Sequence, residues 1–198
     1  LSEKEEREAV ETITELIEYY KGIFTILSSC AARQLEEVTF RRTTIPVQEL
    51  FDAAGKYFKK LMKNRPERIE LEIEPMEAKV IGDVNQLRFL LENLIDEALT
   101  VREDGVIRLQ ARKDNEYVRF LFTDTRREKS VEELNQLFYP NLARMTSGEK
   151  GELRGTEYLV CKQIIRDHDE FAGRRGCRIN AEPAEGGGFT VYFTIPRR

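Results

Sequence analysis

Gly155-Thr156-Glu157-Tyr158-Leu159-Val160-Cys161-Lys162-Gln163-Ile164-Ile165-Arg166-Asp167-His168 and Ala181-Glu182-Pro183-Ala184-Glu185-Gly186-Gly187-Gly188-Phe189-Thr190-Val191-Tyr192-Phe193-Thr194-Ile195-Pro196 decide the reading of the fold. The first segment reads as a helix from about Thr156 to Asp167, and the second holds the strands that close the chain. Upstream lies the same mixture. Asp83 to Leu99 is strongly helical, with Leu87, Leu90, Leu91, Leu94, Ile95 and Ala98 turned inward. Val106 to Ala111 and Tyr117 to Phe122 alternate as strands, joined through the polar turn Lys113-Asp114-Asn115-Glu116. A short helix near Val131 to Phe138 and a polar loop through Gly155 lead back to the opening segment.

Further out, Ile69-Glu70-Leu71-Glu72-Ile73-Glu74 alternates strictly, so its glutamates form the wet side of a strand. Val47 to about Met62 places Val47, Leu50, Phe51, Ala54, Phe58 and Leu61 on one helix face. Thr43-Thr44-Ile45-Pro46 breaks the helical pattern before it, because Pro46 lacks an N–H and biases its predecessor away from helix. Helices set apart from a run of mostly antiparallel strands imply an α+β fold, a two-layer sandwich.

Ser2 to about Val38 reads as one long helix, with Ser2 and Glu5 spaced as a capping box. Its apolar seam, Val10, Ile13, Ile17, Tyr20, Phe24, Leu27 and Ala31, alternates by three and four residues. That spacing suits packing against a second helix, which could belong to a partner chain, or against the helix's own domain. Residues 1–39 are expected to form this coiled-coil-type helix and residues 40–198 the globular domain. The chain opens at Leu1, already inside the helical pattern, which suggests a piece of something longer.

At 198 residues and 40 % apolar content, one substantial core is available. Net charge −4 comes from mixed acids and bases without a basic block, which argues against nucleic acid as a partner. No apolar run approaches the roughly 20 residues of a membrane span, and no secretory signal opens the chain, so a soluble, cytoplasmic protein without membrane contact is expected. Cys30, Cys161 and Cys177 have no CxxC spacing and read as ordinary buried thiols. With His168 the only histidine, catalysis built around a second one is unavailable.

Four segments in order resemble the ATPase domain shared by histidine kinases, type II topoisomerases, Hsp90 chaperones and MutL proteins, the GHKL or Bergerat-fold group, with the histidine-kinase branch closest. Ile45-Pro46-Val47-Gln48-Glu49-Leu50 is similar to the start of such domains, and Gly82 through Ala98 to the helix bearing the N box. Asp124 through Phe138 follows the family register, and the C-terminal segments close the match. The resemblance covers roughly residues 40–198, and the preceding helix resembles the second helix of a dimerisation hairpin.

The resemblance also assigns roles. Asn93 matches the first N-box asparagine, while the second, which holds magnesium against the phosphates, is Glu97 here, still a possible Mg ligand. Asp124 matches the aspartate that accepts from the adenine amino group, although a strand-end carboxylate can equally be a turn former. Asn93 can equally be a helix-surface amide. The DxGxG motif has become Asp124-Thr125-Arg126-Arg127-Glu128 and has lost both glycines, where backbone without Cβ would lie against ligand. GxGLGL is matched by Leu153-Arg154-Gly155-Thr156-Glu157-Tyr158, which keeps one glycine of three and adds Glu157 where phosphates would meet a helix N-terminus. Phe189 stands at the family's GTxF threonine.

Arg126, Arg144, Lys150 and Arg154 are either solvated or a lid that grips phosphate by charge. Lys162 is expected to point outward from its helix. His168 falls where the family commonly has a structural histidine, and the phosphoacceptor helix is not in this chain. With the cradle glycines and the metal asparagine gone, little of the positioning and charge neutralisation that drive phosphoryl transfer is left.

The resulting expectation is a pseudokinase: a non-catalytic or weakly nucleotide-binding histidine-kinase-like module in bacterial two-component signalling, homodimeric through residues 1–38. Its partner would be a response regulator or another kinase, and no cofactor is expected. The alternative is an atypical active histidine kinase in which ATP and Mg are held by Glu97, Asp124 and either Arg126 or Arg154. An anti-sigma-type binder is a third reading, against which the lost glycines count.

Overall fold

The computed structural model describes residues 2–35, 40–139, 146–147 and 153–198, with side chains for residues 2–21, 40–139 and 155–198. The chain divides into two compact units, Leu1–Thr39 with Tyr139–Thr156, and Phe40–Phe138 with Glu157–Arg198.

In the first unit α1 spans Glu3–Leu35. The Ser2 hydroxyl accepts from the Glu5 N–H at 3.3 Å while the Glu5 carboxylate accepts from the Ser2 N–H at 2.8 Å, the reciprocal cap the sequence suggests. Val10, Ile13, Ile17 and Tyr20 are exposed along it. The side chains of Phe24, Leu27 and Ala31 lie outside the described residues, as does the expected end of the helix at Val38. A two-residue pair, β6 (Thr146–Ser147) and β7 (Leu153–Arg154), stands where a loop is expected.

The second unit carries the sandwich. A five-stranded sheet runs β2 (Ile69–Ile73), β4 (Gly105–Lys113), β5 (Tyr117–Asp124), β9 (Phe189–Pro196), β8 (Ile179–Pro183), with only β2 and β4 parallel. Alternation sends Ile107, Leu109, Ala111, Val118, Phe120, Val191, Phe193 and Ile195 to the buried face. The opposite face is wet and braced by Glu72–Arg108 and Glu74–Arg112 pairs at 3.0 Å. Against the buried face pack α2 (Val47–Met62), α3 (Val84–Ala98) and α5 (Glu157–Phe171), and α4 (Val131–Gln136) follows β5. Phe120 links the layers, stacked on Phe193 at 4.7 Å and edge-on to Phe51 at 6.0 Å.

Two elements differ from expectation. Thr43–Pro46 is not merely a break but a strand, β1, paired antiparallel with β3 (Lys79–Gly82). Pro46 is tolerated because it ends the strand, where α2 begins. Helix α5 runs to Phe171, past Asp167, because His168 continues its buried face.

His168 also fixes the start of α3. Its Nδ1 faces the Ile164 carbonyl at 2.8 Å, and its Nε2 accepts from the Asp83 N–H at 3.1 Å. Nδ1 therefore carries the proton in the neutral ring. Asp83 caps α3 by accepting from the Asn85 and Gln86 N–H groups, and its second oxygen accepts from the Arg41 N–H. Gly82 makes this approach possible, since a Cβ there would lie 2.8 Å from the imidazole.

Candidate functional site

The C-terminal half of α3, the end of β5 and the start of β9 converge on one cleft. Glu97 and Asp124 both line it, together with Val101, Arg127, Lys129, Tyr158 and Phe189. The structure thus brings together Glu97, Asp124 and Phe189, three of the positions singled out in the sequence. Asn93 does not line it: buried on α3, its amide donates to the Phe89 carbonyl of its own helix at 2.7 Å.

Arg126 is neither solvated nor on a lid. Its side chain is 1 % exposed and forms a fork on the Asp124 carboxylate, itself 5 % exposed, with Nε to Oδ1 and Nη2 to Oδ2 both at 2.9 Å. Nη2 also donates to the Ala98 carbonyl at 2.6 Å, and Nη1 donates to the carbonyls of Val101 at 3.1 Å and Glu103 at 2.9 Å. A guanidinium has five N–H groups, so every one is matched to an acceptor. The cation sits at the end of α3, where the helix dipole is negative.

Local sequence explains how so large a group is held inside. Asp124 is a turn former as well as an ion-pair partner, because its Oδ1 accepts from the Arg126 N–H at 3.0 Å. Thr125 anchors the same turn, with N–H and hydroxyl both donating to the Val106 carbonyl at 3.1 and 2.6 Å. Gly105, at φ +144°, provides the room: a Cβ there would lie 2.6 Å from Arg126 Cγ. On the far side Gly188, at φ +82°, lies directly against the Asp124–Thr125 backbone, where a Cβ would overlap the Asp124 carbonyl oxygen.

The rest of the cleft is filled by its own walls. Phe189 is buried and the Lys129 ammonium lies 5.4 Å from its ring centre. Tyr158 packs edge-on against Phe138 at 5.7 Å. Among the described residues the space left is about 90 Å³, against roughly 300–1,000 Å³ for sites that enclose small-molecule ligands.

The electrostatics between α3 and α5 are acidic. Burial raises Asp96 above the usual carboxylate range, the Tyr57 hydroxyl bonded to it at 2.6 Å works in the opposite direction, and the Glu157 charge adds to the rise. Burial, then Glu157, then more weakly Glu97, push the Cys161 thiol up. The thiol donates to the Leu90 carbonyl at 3.6 Å and is structural. Among the described residues no group of three or more His, Cys, Asp or Glu could hold a metal ion.

Arg154 and Gly155 belong to the other unit, Arg154 in β7 and Gly155 after it at φ +81°. Arg144 and Lys150 lie outside the described residues. Lys129 and Gly105 were not singled out in the sequence. The Asp104-Gly105 turn signal ahead of a strand is the feature that could have drawn attention to the second.

The family model described as "Histidine kinase-, DNA gyrase B-, and HSP90-like ATPase" matches residues 82–198. No curated protein matches by sequence. Among solved structures, the nucleotide-free catalytic domain of histidine kinase ThkA is similar at 21 % identity and TM-score 0.61, over 79 % of this chain and 97 % of that one. The mycobacterial sensor histidine kinase MprB is similar at 17 % identity and TM-score 0.59, over 81 % and 99 %. ThkA in complex with the response regulator TrrA aligns at 20 % identity and TM-score 0.61, over 95 % of this chain and 52 % of that one.

Proposed function

The chain belongs to the histidine kinase-, DNA gyrase B- and HSP90-like ATPase family, and on that premise we propose that it is a pseudokinase module of two-component signalling which acts through protein contacts without turning over ATP. The observation that carries this reading is the Arg126 guanidinium. In the family the aspartate at position 124 reads the adenine amino group, whereas here both of its oxygens accept from Arg126. The residues present do not fit ATP: the acceptor is engaged, about 90 Å³ is left among the described residues, and Phe189 with Lys129 closes the side. Glu97 lines the cleft and Glu157 precedes the cleft-lining Tyr158, so both add negative charge that a triphosphate there would meet. Glu97, at the position of the family's metal asparagine, gives magnesium one protein ligand, which does not build a site without phosphates to share it.

Protein contacts supply the alternative means of signalling. The exposed seam Val10, Ile13, Ile17 and Tyr20 supports dimerisation through residues 1–38, with residues 40–198 as the presented domain. A response regulator or another kinase is the partner, in keeping with the ThkA–TrrA complex, and the setting is cytoplasmic. No helix among the described residues is long and apolar enough to cross a membrane.

The test is calorimetric titration of the whole chain with ATP and with ADP, each with and without magnesium. The expected result is no saturable heat up to about 1 mM nucleotide, a limit of roughly 4 kcal/mol of binding. Micromolar, magnesium-dependent binding would restore the active-kinase reading, in which Arg126 must release Asp124.

A further inference from the structure

A second cavity, sharing no residue with the Asp124 cleft, opens between β1, the turn that follows α5 and the end of β9. It measures about 460 Å³, within the roughly 300–1,000 Å³ of small-ligand sites. Its walls carry Arg42, Arg174 and Arg198, with the Thr43 and Thr44 hydroxyls between them, and no aspartate or glutamate lines it. Among the described residues none of the three guanidiniums forms an ion pair.

Two of the three are nonetheless held in place. Arg198 donates from its backbone N–H to the Lys79 carbonyl at 3.0 Å and from Nη1 to the Thr44 hydroxyl at 3.1 Å. Arg174 donates from Nη1 to the Glu116 carbonyl at 2.8 Å, and its guanidinium lies 5.9 Å from the Tyr117 ring centre. Arg42 has no hydrogen-bond partner among the described residues and lies against Gly173, whose φ is +92° and whose Cβ, if present, would fall 2.6 Å from Arg42 Nη1. Glycine at that turn lets the guanidinium reach into the cavity wall.

We propose that this cavity binds a phosphate-bearing small anion, with Arg42, Arg174 and Arg198 as its ligands. Three like charges without a carboxylate among them repel one another, and an anion is what offsets that repulsion. Arginine presents paired N–H groups that match the oxygens of phosphate. The Thr43 hydroxyl is engaged with the Gly82 carbonyl at 3.5 Å, but the N–H groups left over on three forks, with the Thr44 hydroxyl, exceed what one carboxylate can accept, and suit a phosphate or pyrophosphate with more oxygens. Ile81, Ala172 and Pro196 give the body of such a ligand an apolar wall.

Pyrophosphate is the probe. Calorimetric titration of the whole chain at low salt is expected to show one saturable site per chain, weakened about tenfold or more in Arg42→Ala and in Arg198→Ala. Arg108→Ala removes a cation on the wet face of the sheet and is expected to leave binding unchanged. Thermal melts of all three variants, each changed at an exposed side chain, confirm that they are folded. The proposal is overturned by the absence of saturable heat up to about 10 mM pyrophosphate, by equal weakening in Arg108→Ala, which would mark general charge attraction, or by citrate binding as tightly as pyrophosphate.

Discussion

Replacing Arg126 by methionine keeps most of the side-chain volume and removes all five N–H donors. Asp124 would then be a buried carboxylate whose only described donor is the Arg126 backbone N–H, the carbonyls of Val101 and Glu103 would lose their described partner, and that of Ala98 would keep only the Val101 N–H at 3.2 Å. Breaking a buried pair from one side costs about 3–5 kcal/mol, because the surviving charge has no compensation. At about 2–4 °C per kcal/mol for a chain of this size, the midpoint of thermal unfolding should fall by about 6–20 °C. Urea denaturation at fixed protein concentration gives the free energy directly, with an unchanged slope showing that the unfolding reaction is the same. The double variant Arg126→Met with Asp124→Asn should be less damaged than the sum of the singles, with a coupling of about 2 kcal/mol or more. A loss below about 1 kcal/mol with additive behaviour would refute the assignment of Arg126 as the group that ties α3 to β5.

Other consequences are as specific. His168 is fully buried, and burial first of all pushes its pKa down to about 4, against the opposing pull of the Ile164 carbonyl and Asp83. Because the folded value lies below the unfolded one, the neutral ring adds stability that is intact above about pH 6.5 and is lost as pH falls toward 4, by about 3 kcal/mol in all. As the only histidine, it should give one imidazole NMR signal that stays neutral at pH 5.5, and a titration midpoint above 6 would contradict this packing. Gly82→Ala should lower stability by about 1–3 kcal/mol in thermal melts, since its Cβ meets the imidazole at 2.8 Å. If residues 1–38 dimerise the chain as proposed, Ile13→Lys with Ile17→Lys should leave a monomer in sedimentation equilibrium, and unchanged mass would remove the seam from the assembly.

Much of the fold is legible because its elements announce themselves by period. Leu87, Leu90, Leu91, Leu94 and Ile95 share a helical face, and the strands β4, β5 and β9 alternate over eight or nine residues. β1 and β3 are four residues each and are held by pairing with one another across 39 positions between Thr43 and Gly82, a relation no local window contains. The end of α5 was misplaced because a polar residue, His168, sits in the core, which depends on the Asp83 N–H that only the folded chain delivers. Asp124 and Glu97 were legible as neighbours through the family register. Arg126 was not, because its destination depends on the space left by Gly105 and on three carbonyls that α3 and its following loop bring within reach. Arginines are mostly at the surface, and nothing local distinguishes one that is not.

A dissociable ligand that fills a cleft stabilises it in proportion to the logarithm of its own concentration, so the cleft reports on supply. The guanidinium that joins the end of α3 to the end of β5 is instead tethered two residues from the carboxylate it binds. Its local concentration is set by the chain and does not change with dilution or starvation. If the cleft binds no nucleotide, as proposed, it does not measure the adenylate pool, and the shape it presents is the same in a well-fed cell and in a depleted one.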